Sequence, residues 1–384
     1  MTPEEYTLLL TDEVRRAIAA ARGRDPLDVA LDRRIPHART VATQVKYLAR
    51  AASKLPSYAA AECILPPRAF EQASSEACAA HKTIRGDAVL DLTCGLGVDS
   101  LALSRRFGRV VALERNEVLA AVARENFARL GVSNIEVVAA SAEAYLERCT
   151  AHFDWVYADP DRRADDGRKL VRLEDCSPDV LALLPRIRQI SDGLSLKNSP
   201  LFDVDEALRL FPSARVEVVS LGGECKEVMI YDDGAGPSVT ATALGRGSFT
   251  AVPGTFDGAA PEVFDAARYG WIVLPDVALQ KARLVRRCFA GRADVWSENG
   301  VAFCTAEPGG TEPVLGRVFA VERIESYDPR WLKRELKGHG AEIFLRDFPV
   351  AQAELLRRLG LHPGCDVRLL FTRVGRECLT VRLR

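Results

Sequence analysis

One stretch of the chain, residues 88–99, restricts the possible folds more than any other. A short apolar segment runs into a turn with two glycines, and a helical segment (residues 100–107) and a second apolar segment (residues 109–113) follow it. Glycine lets the backbone approach a ligand without a Cβ atom in the way. Glu114, at the end of the second apolar segment, can accept hydrogen bonds from a ribose diol. We therefore predict half of a nucleotide-binding α/β unit.

The turn differs from a dinucleotide-binding turn at its third glycine position. The fingerprint G-x-G-x-x-G would continue from Gly95 and Gly97 to a glycine at position 100, which here is Ser100. Asp91 begins the turn and Asp99 ends it, so two carboxylates would repel a pyrophosphate. We expect a cationic nucleoside instead. S-adenosylmethionine meets this description, since it has a sulfonium, an ammonium and a ribose diol.

The arrangement resembles motifs I and II of class I methyltransferases. In this chain Thr93 stands where the motif has its first glycine, and Cys94 precedes the second. The resulting D-x-x-C-G-x-G pattern is similar to the version found in RNA uridine-5 methyltransferases and in cap trimethylguanosine synthases. The resemblance implies that the cofactor is S-adenosylmethionine.

Further apolar segments continue the α/β pattern beyond this turn. Residues 135–139 form a predicted third strand. Residues 141–143 follow it, at the position where the family places a residue against the adenine amino group. Residues 153–159 form a fourth strand, and residues 193–197 a fifth, after a helical region at residues 179–190. Agreement among several elements carries more weight than one motif.

Two further predicted strands, residues 215–221 and 225–231, are separated by only three residues. Such a short turn joins antiparallel strands, because a parallel pair needs a crossover connection. A parallel sheet that ends in an antiparallel hairpin is typical of class I methyltransferases. A dinucleotide-binding domain would continue with another crossover, so the hairpin separates the two folds independently of the glycine turn.

Composition limits the possible partners and compartments. The chain has 52 basic and 53 acidic residues, so a nucleic acid would have to meet a local patch. No apolar run approaches the roughly 18 residues of a membrane span, and residues 1–5 do not begin a signal peptide. We expect no membrane association and a cytoplasmic location. The ten cysteines form no C-x-x-C pair and no ligand spacing with histidine, so we expect reduced thiols and no metal site.

Breaks in the pattern divide the chain into four predicted parts. Residues 1–65 form an N-terminal helical extension, residues 66–245 the methyltransferase domain, residues 262–306 a small α/β unit and residues 311–384 a compact terminal domain. The extension has a basic side, which is either a solvated helix surface or a nucleic-acid contact. Its cations are Arg33, Arg34, Arg39, Lys46, Arg50 and Lys54.

The terminal domain is basic although the whole chain is nearly neutral. Residues 311–384 contain 14 lysines and arginines against 10 acidic residues. Several of these cations share one predicted helix, which indicates either phosphate contacts or a solvated helix surface. They are Arg330, Lys333, Arg334 and Lys337. Two aromatic residues nearby, Tyr327 and Trp331, are stacking platforms for bases or core residues.

As a whole, the chain resembles the bacterial class I methyltransferases that carry a small ferredoxin-like insert and a C-terminal THUMP-like domain. The stretches that carry the resemblance are residues 71–76, 91–99, 159–163, 196–200, 224–227 and 318–348. It implies an α/β fold class: a Rossmann-like class I methyltransferase sheet with an antiparallel terminal hairpin, an N-terminal helical extension, a small ferredoxin-like unit and a C-terminal α+β THUMP-like domain. It also implies S-adenosylmethionine binding and an RNA substrate, with transfer RNA as a candidate, contacted through the C-terminal domain.

The predicted cofactor-binding residues combine the glycine turn, the ends of the neighbouring strands and the segment before the first strand. They are Gln72, Ser75, Asp91, Thr93, Cys94, Gly95, Gly97, Asp99, Glu114, Arg115, Asn116, Ala142, Glu143 and Asp159. The predicted catalytic residues follow the fourth and fifth strands. They are Asp159, Pro160, Arg162 and Lys197.

The segment after the fourth strand departs from the pattern of base N-methyltransferases. Those enzymes have Asn or Asp, two prolines and an aromatic residue there, whereas this chain has Asp161 in place of the second proline and Arg162 in place of the aromatic residue. An arginine can also stack on a base. Lys197 meets either a phosphate or substrate carbonyl, or a nearby carboxylate.

Cys94 invites comparison with uridine-5 methyltransferases, which attack the base with a cysteine. Their nucleophile follows the fourth strand, and residues 159–175 of this chain include no cysteine, so we predict that Cys94 is not a nucleophile. Two alternative functions remain. One is an RNA-binding protein that retains the cofactor pocket without turnover, and the other is a small-molecule methyltransferase whose terminal domain mediates dimerisation.

Overall fold

The computed structural model describes residues 1–162, 172–254, 258, 260–309 and 314–384. Arg163, the last residue of the segment after the fourth strand, lies outside the described residues. The chain divides into two compact units. The first comprises Met1–Ala214 and Met229–Gly236, and the second comprises Arg215–Val228 and Pro237–Arg384.

The first unit begins with a series of helices, as the sequence predicts. They are α1 (Pro3–Leu10), α2 (Asp12–Ala20), α3 (Pro26–Leu31), α4 (Ala38–Lys54), α5 (Pro56–Ala60), α6 (Pro67–Gln72) and α7 (Glu76–His81). Side-chain caps start several of them: Thr2 forms a capping box with Glu5, and Asp25 accepts from the backbone of Leu27. The longest helix, α4, buries Val41 and Val45 on one face.

A parallel α/β sheet follows the helices. Its elements are β1 (Gly86–Asp91), α8 (Val98–Ser104), β2 (Phe107–Leu113), α9 (Glu117–Arg129), β3 (Ile135–Val138), α10 (Ala142–Arg148), β4 (Phe153–Ala158), β5 (Asp161–Arg162), β6 (Cys176–Ser177), α11 (Val180–Ile190), β7 (Ser191–Asn198) and α12 (Val204–Leu210). Strands β7, β4, β1, β2 and β3 lie in that order and pair in parallel. β5 and β6 form a separate two-stranded ladder. The predicted strands of this α/β region are confirmed.

Two buried side-chain amides, one on α9 and one on α4, hold the extended backbone between α5 and α6. Asn126 on α9 accepts from the backbone N–H of Ile64 at 2.7 Å and donates to its carbonyl at 2.9 Å. Gln44 on α4 makes the same pair of bonds with Leu65, at 3.0 and 3.3 Å. Each amide imitates a strand neighbour, so the extended backbone between α5 and α6 is satisfied without belonging to a sheet.

The second unit contains two sets of strands. Its elements are β8 (Arg215–Leu221), β9 (Glu224–Asp232), β10 (Ser238–Ala243), β11 (Gly247–Ala251), β12 (Trp271–Pro275), α13 (Val277–Lys281), α14 (Val285–Cys288), β13 (Ala302–Cys304), β14 (Gly316–Ser326), α15 (Pro329–Leu336), β15 (Gly340–Leu345), α16 (Gln352–Leu359), β16 (His362–Pro363), β17 (Val367–Val374) and β18 (Glu377–Leu383). Residues 229–232 of β9 belong to the first unit, where β9 lies beside β7.

The predicted hairpin is present. β8 and β9 are hydrogen-bonded neighbours joined by Gly222 and Gly223, whose φ angles are +64° and +83°. Glycine adopts these left-handed angles without strain. β10 then pairs in parallel with β8, and β11 pairs antiparallel with β10. The sequence pattern of residues 239–244 predicts the strand β10, whereas no strand is predicted at the position of β11.

A seven-stranded sheet makes up the rest of the second unit, in the order β13, β12, β14, β18, β17, β15, β16. β12 pairs antiparallel with β14, so the segments at 262–306 and 311–384 share one sheet. The sequence pattern of residues 277–289 predicts a single helix, and this prediction is wrong. The segment divides into α13 and α14, because Arg283 between them has a φ of +56°, which an α-helix cannot contain.

Within the described part of the chain, no helix is long and apolar enough to cross a membrane. All ten cysteines are free thiols.

Candidate functional site

The turn after β1 is organised around Asp91, the last residue of that strand. Its side chain is fully buried. One carboxylate oxygen, Oδ1, accepts from the backbone N–H of Thr93 at 2.9 Å, and the other, Oδ2, accepts from the hydroxyl of Ser100 at 2.5 Å. Asp91 therefore connects the strand to the start of α8 and fixes the path of the turn between them.

Burial raises the pKa of Asp91 to about 7, even though the hydrogen bonds from Ser100 and Thr93 oppose the shift. The nearby carboxylates of Asp99 and Asp159 add to the rise. A carboxyl with this pKa is partly protonated at neutral pH. The sequence-based argument that Asp91 repels a pyrophosphate is therefore weaker than expected, because this carboxyl faces the interior.

The two glycines of the turn serve different purposes. Gly95 has a φ of +56°, and a Cβ there would meet the Thr93 carbonyl oxygen at an ordinary contact distance of 3.9 Å. Its N–H donates to Oε2 of Glu114 at 3.0 Å. Gly97 has a φ of +88°, and a Cβ there would overlap the ring of Phe127. The Phe127 ring therefore fills the Cβ side of Gly97, whereas the Cβ side of Gly95 is nearly open. The cofactor contact predicted for each glycine stays a prediction.

Glu114 follows β2 at the same edge of the sheet. Its Oε1 accepts from the backbone N–H of Asn116 at 2.8 Å, while Oε2 accepts from Gly95. The side chain is half-buried. Each carboxylate oxygen has a second lone pair, so Glu114 can accept hydrogen bonds from a diol while both backbone bonds hold it in place.

Asp99, on the first turn of α8, lies in a buried cluster of opposite charges. Lys82 Nζ is 2.7 Å from Oδ1 of Asp99, and the Ser74 hydroxyl donates to Oδ2 at 2.8 Å. Burial alone would raise the pKa of Asp99, but the charges of Lys82 and Lys197 and these hydrogen bonds outweigh it and hold the pKa at about 2. Asp99 is therefore ionised, and its charge is compensated within the protein.

Asp159 and Lys197 form an ion pair at the ends of β4 and β7. The backbone N–H of Asp159 donates to the Thr93 hydroxyl at 2.7 Å, which connects this pair to the glycine turn. Lys197 Nζ is also 4.0 Å from Oδ2 of Asp99. Of the two readings of Lys197 left open by the sequence, the structure contains the carboxylate contact. Burial raises the pKa of Asp159, and Lys197 opposes that rise.

Cys94 is buried, and its N–H donates to the carbonyl of Leu113 at 2.8 Å. Burial, followed by the adjacent charge of Asp91, raises the pKa of this thiol well above its ordinary value. A thiol in this state is a poor nucleophile. This state of the thiol supports the prediction that Cys94 is not a nucleophile, and its predicted contact with the cofactor stays a prediction.

The other predicted residues lie around this group without joining it. Ser75 caps α7, Asn116 caps α9, and the Arg115 guanidinium donates to Ser177 at 3.1 Å. On the first turn of α10, Ala142 is buried and Glu143 is exposed. These positions leave the predicted role of each residue as a prediction.

The segment after β4 contacts helix α6. Asp161 is exposed and accepts from the Gln72 side chain at 3.0 Å, and the Arg68 guanidinium is 3.8 Å away. Pro160 is half-buried, and the backbone of Arg162 pairs with Cys176 in the short ladder. Gln72 therefore contacts the segment after β4, and its predicted contact with the cofactor stays a prediction.

Three residues of the polar cluster were not among the predicted site residues: Ser74, Lys82 and Ser100. Ser75 caps α7, whereas the neighbouring Ser74 hydroxyl donates to Asp99. The sequence contains one signal for Lys82, because this residue stands between a helix and a buried strand. A buried cation at such a position is energetically costly unless a carboxylate pairs with it. In the described ranges, no group of three or more His, Cys, Asp or Glu side chains could hold a metal ion.

Comparisons with known proteins agree with this geometry. Residues 89–164 match the methyltransferase domain family, and residues 316–382 match the THUMP domain-like family. An uncharacterized S-adenosylmethionine-dependent methyltransferase of Mycobacterium tuberculosis is 29% identical over 345 residues, which cover 86% of this chain and 91% of that protein. A crystal structure of a proposed methyltransferase from Porphyromonas gingivalis W83 superposes with a TM-score of 0.79 and 25% identity, covering 100% of this chain and 99% of that one.

A shorter similarity extends to an RNA-modifying enzyme. The tRNA/tmRNA (uracil-C(5))-methyltransferase of Nitratiruptor is 36% identical over 123 residues, which cover 26% of this chain and 34% of that enzyme.

The parallel sheet, the glycine turn and the acidic strand ends define a class I methyltransferase fold. The chain is an S-adenosylmethionine-dependent methyltransferase with a THUMP-like domain in its C-terminal region. The predicted fold class, enzyme class and cofactor are confirmed, and the alternative of a binding protein without turnover is set aside.

Proposed function

We propose that this enzyme transfers a methyl group from S-adenosylmethionine to structured RNA, with transfer RNA as the first candidate. The observation that carries the proposal is the combination of a methyltransferase domain with a THUMP-like domain whose helix α15 presents exposed cations. The methyltransferase sheet would supply the chemistry, and the THUMP-like domain would hold the RNA.

The residues at the carboxyl ends of β1 and β2 fit the cofactor. The Cβ side of Gly95 is nearly open, and Glu114 has lone pairs left for a ribose diol while the backbone holds it. S-adenosylmethionine supplies an electrophilic methyl group on a sulfonium. We assign Glu114 to the ribose and the open side of Gly95 to the amino-acid portion, while Asp91 and Asp99 keep the turn in shape from inside.

Asp159 is the candidate acceptor-binding group. Among the residues that the structure describes, Lys197 contacts the Oδ2 atom of this carboxylate. The other oxygen, Oδ1, can therefore accept a hydrogen bond from an N–H or O–H group of the acceptor. Lys197 holds the Asp159 carboxylate in one orientation, because the ion pair uses one of its oxygens. Methyl transfer is an in-line displacement, so the main contribution of these residues is to position the acceptor atom.

The exposed face of α15 supports RNA as the substrate. Its cations make no ion pair with any described residue and are exposed: Arg330, Lys333 and Arg334, with Lys337 directly after the helix. Tyr327 packs edge-on against Phe348 and Phe371, at centroid distances of 5.1 and 5.8 Å, so it is a core residue and not a stacking platform. RNA contact through this domain would therefore be mainly to phosphates.

The proposal is tested by incubating the enzyme with methyl-labelled S-adenosylmethionine and either bulk RNA or a metabolite extract. We expect label in RNA that is sensitive to ribonuclease. Label only in small molecules would contradict the RNA assignment and favour the small-molecule alternative. An Asp159→Asn variant serves as the control, and we expect it to bind the cofactor but to transfer about a hundredfold more slowly.

A further inference from the structure

The exposed face of α4 is the feature of the first unit that the proposed function does not use. This 17-residue helix contains no acidic residue. Arg39, Lys46 and Arg50 are exposed and lie seven and four residues apart. At 3.6 residues per turn they share one side of the helix, along a length of about 16 Å. We call this row of side chains, with Arg33 before the helix, the α4 stripe.

Most of the α4 stripe has no counter-charge. Arg33, Arg39 and Lys46 make no ion pair with any residue in the described part of the chain. Arg50 is the exception, because it pairs with Glu71 on α6. Other exposed arginines of this unit differ: Arg34, Arg109 and Arg188 have carboxylate partners, whereas some isolated ones do not, so the distinguishing property of the α4 stripe is that its unpaired cations share one helix face. A row of unpaired cations on one helix face is suited to a polyanion.

An open cavity of about 380 Å³ lies where the α4 stripe begins. Arg33, His37, Arg39 and Thr40 are among its lining residues. The acidic residue of the lining, Asp32, already pairs with Arg24 and Arg34, and hydrogen bonds from Arg34 lower its pKa. The cavity therefore presents unpaired positive charge and hydrogen-bond donors to a ligand.

The other end of the α4 stripe lies near residues 159–162, which follow β4. We call these residues the acceptor segment, because they include Asp159. Arg50 pairs with Glu71, and the next residue, Gln72, donates to Asp161 at 3.0 Å. Asp161 is two residues from Asp159, whose carboxylate we assign to the acceptor. An RNA strand bound along the α4 stripe would thus be directed toward Asp159, where we place the acceptor atom.

We propose that the α4 stripe binds the phosphate backbone of the RNA substrate and guides it to the acceptor segment. The inference rests on the proposed function, and it assigns to the N-terminal helices a substrate contact separate from that of the THUMP-like domain. A length of about 16 Å spans several phosphates of one strand. The contacts are to backbone charge, so they add affinity without reading the base sequence.

The experiment compares two triple variants that lose the same charge. The stripe variant is Arg33→Gln, Arg39→Gln and Lys46→Gln. The control variant is Arg85→Gln, Arg105→Gln and Arg148→Gln, three exposed arginines without an ion pair among the described residues. Each stands just before β1, β2 or β4, so the control positions lie at the edge of the parallel sheet opposite the site.

Binding of fluorescently labelled bulk transfer RNA is measured over a range of salt concentrations, together with methyl transfer to the same RNA. We expect the stripe variant to bind about tenfold more weakly at about 100 mM salt, with a log–log salt dependence shallower by about 2. Its KM for RNA rises while kcat at saturating RNA and cofactor affinity are unchanged. The control variant matches the wild type within about twofold.

The possible results separate this inference from the proposed function. If the wild type binds RNA and the stripe variant has the affinity and salt dependence of the control, the α4 stripe is not a substrate contact, although the RNA assignment stands. Equal weakening in both variants overturns it too, because the effect would then be one of net charge. If the wild type neither binds nor methylates RNA, both proposals fail. Unchanged cofactor affinity in the variants verifies that they are folded.

Discussion

Cations occupy two contrasting environments in this protein. Lys82 is buried and Lys197 is half-buried among carboxylates at the end of the methyltransferase sheet, and each contacts Asp99 or Asp159. The cations of the α4 stripe and of α15 are exposed and largely lack carboxylate partners among the described residues. A buried charge must be compensated inside the protein, because water cannot solvate it. An exposed one costs little and remains available to a partner.

The polar side chains of the predicted cofactor site therefore differ in how far contacts within the protein already occupy their oxygens. Asp91 and Asp99 use their oxygens on Thr93, Ser100, Ser74 and Lys82. These contacts fix the shape of the turn. Glu114 and Asp159, by contrast, have carboxylate lone pairs that can accept hydrogen bonds from a ligand. Four mutations or sets of mutations test the contrast, from the largest expected effect to the smallest.

Removing a buried cation should cost most. Lys82→Met leaves Asp99 with only the 4.0 Å contact to Lys197 as a charge partner among the described ion pairs. We expect the free energy of unfolding to fall by about 3–5 kcal/mol, since an uncompensated charge remains buried. Urea denaturation measures it. The matched control is Lys46→Met on the exposed face of α4, which should change the free energy of unfolding by less than about 0.5 kcal/mol. Equal losses of stability in both variants would contradict the difference between buried and exposed cations.

The pH dependence of stability tests the burial of Asp91. Its pKa of about 7 lies above the ordinary value, so the folded state binds more protons than the unfolded state between about pH 4 and 7. Wild-type stability should therefore fall as pH rises through this window, by up to about 1.4 kcal/mol per pH unit from this group. Asp91→Asn should lack this decline, measured by urea denaturation at pH 5, 6 and 7. Parallel profiles for the two proteins would show that Asp91 is ionised when folded.

Glu114 lies between the two environments, since it is half-buried and held by backbone N–H groups. Glu114→Gln should weaken S-adenosylmethionine binding by about tenfold to a hundredfold, because a charged acceptor of the ribose hydroxyls is lost. Calorimetric titration measures the affinity. Glu117→Gln changes an exposed carboxylate on the first turn of α9 and should leave the affinity unchanged. An identical effect of the two substitutions would rule out the ribose contact.

The exposed cations of α15 should affect binding without affecting folding. The triple variant Arg330→Gln, Lys333→Gln and Lys337→Gln should weaken RNA binding by about tenfold at about 100 mM salt. Its thermal unfolding and cofactor affinity should match those of the wild type, because these side chains are exposed. Filter binding over a salt series checks the first expectation and calorimetry the second. A loss of stability would place these cations with the buried class.

Much of the fold could be predicted because its signals are local. The apolar segments of β1, β2 and β4 and the turn at Gly222 and Gly223 are visible as hydropathy and glycine patterns over a few residues. The break at Arg283 was not predictable, since a positive φ at an arginine has no sequence signal and depends on the packing around it. β11 was missed because its short segment lies in a region rich in glycine and threonine.

By itself, the sequence determined the order of strands and helices, the glycine turn, the acidic strand ends and the terminal hairpin, and these were sufficient to indicate the enzyme class and its cofactor. Only the tertiary structure decided which charges meet. Lys82 and Asp99 are 17 positions apart in the sequence, and Asp159 and Lys197 are 38 apart. Hydropathy and backbone preference act over a few residues, whereas the compensation of a buried charge depends on neighbours that folding brings together from distant parts of the chain.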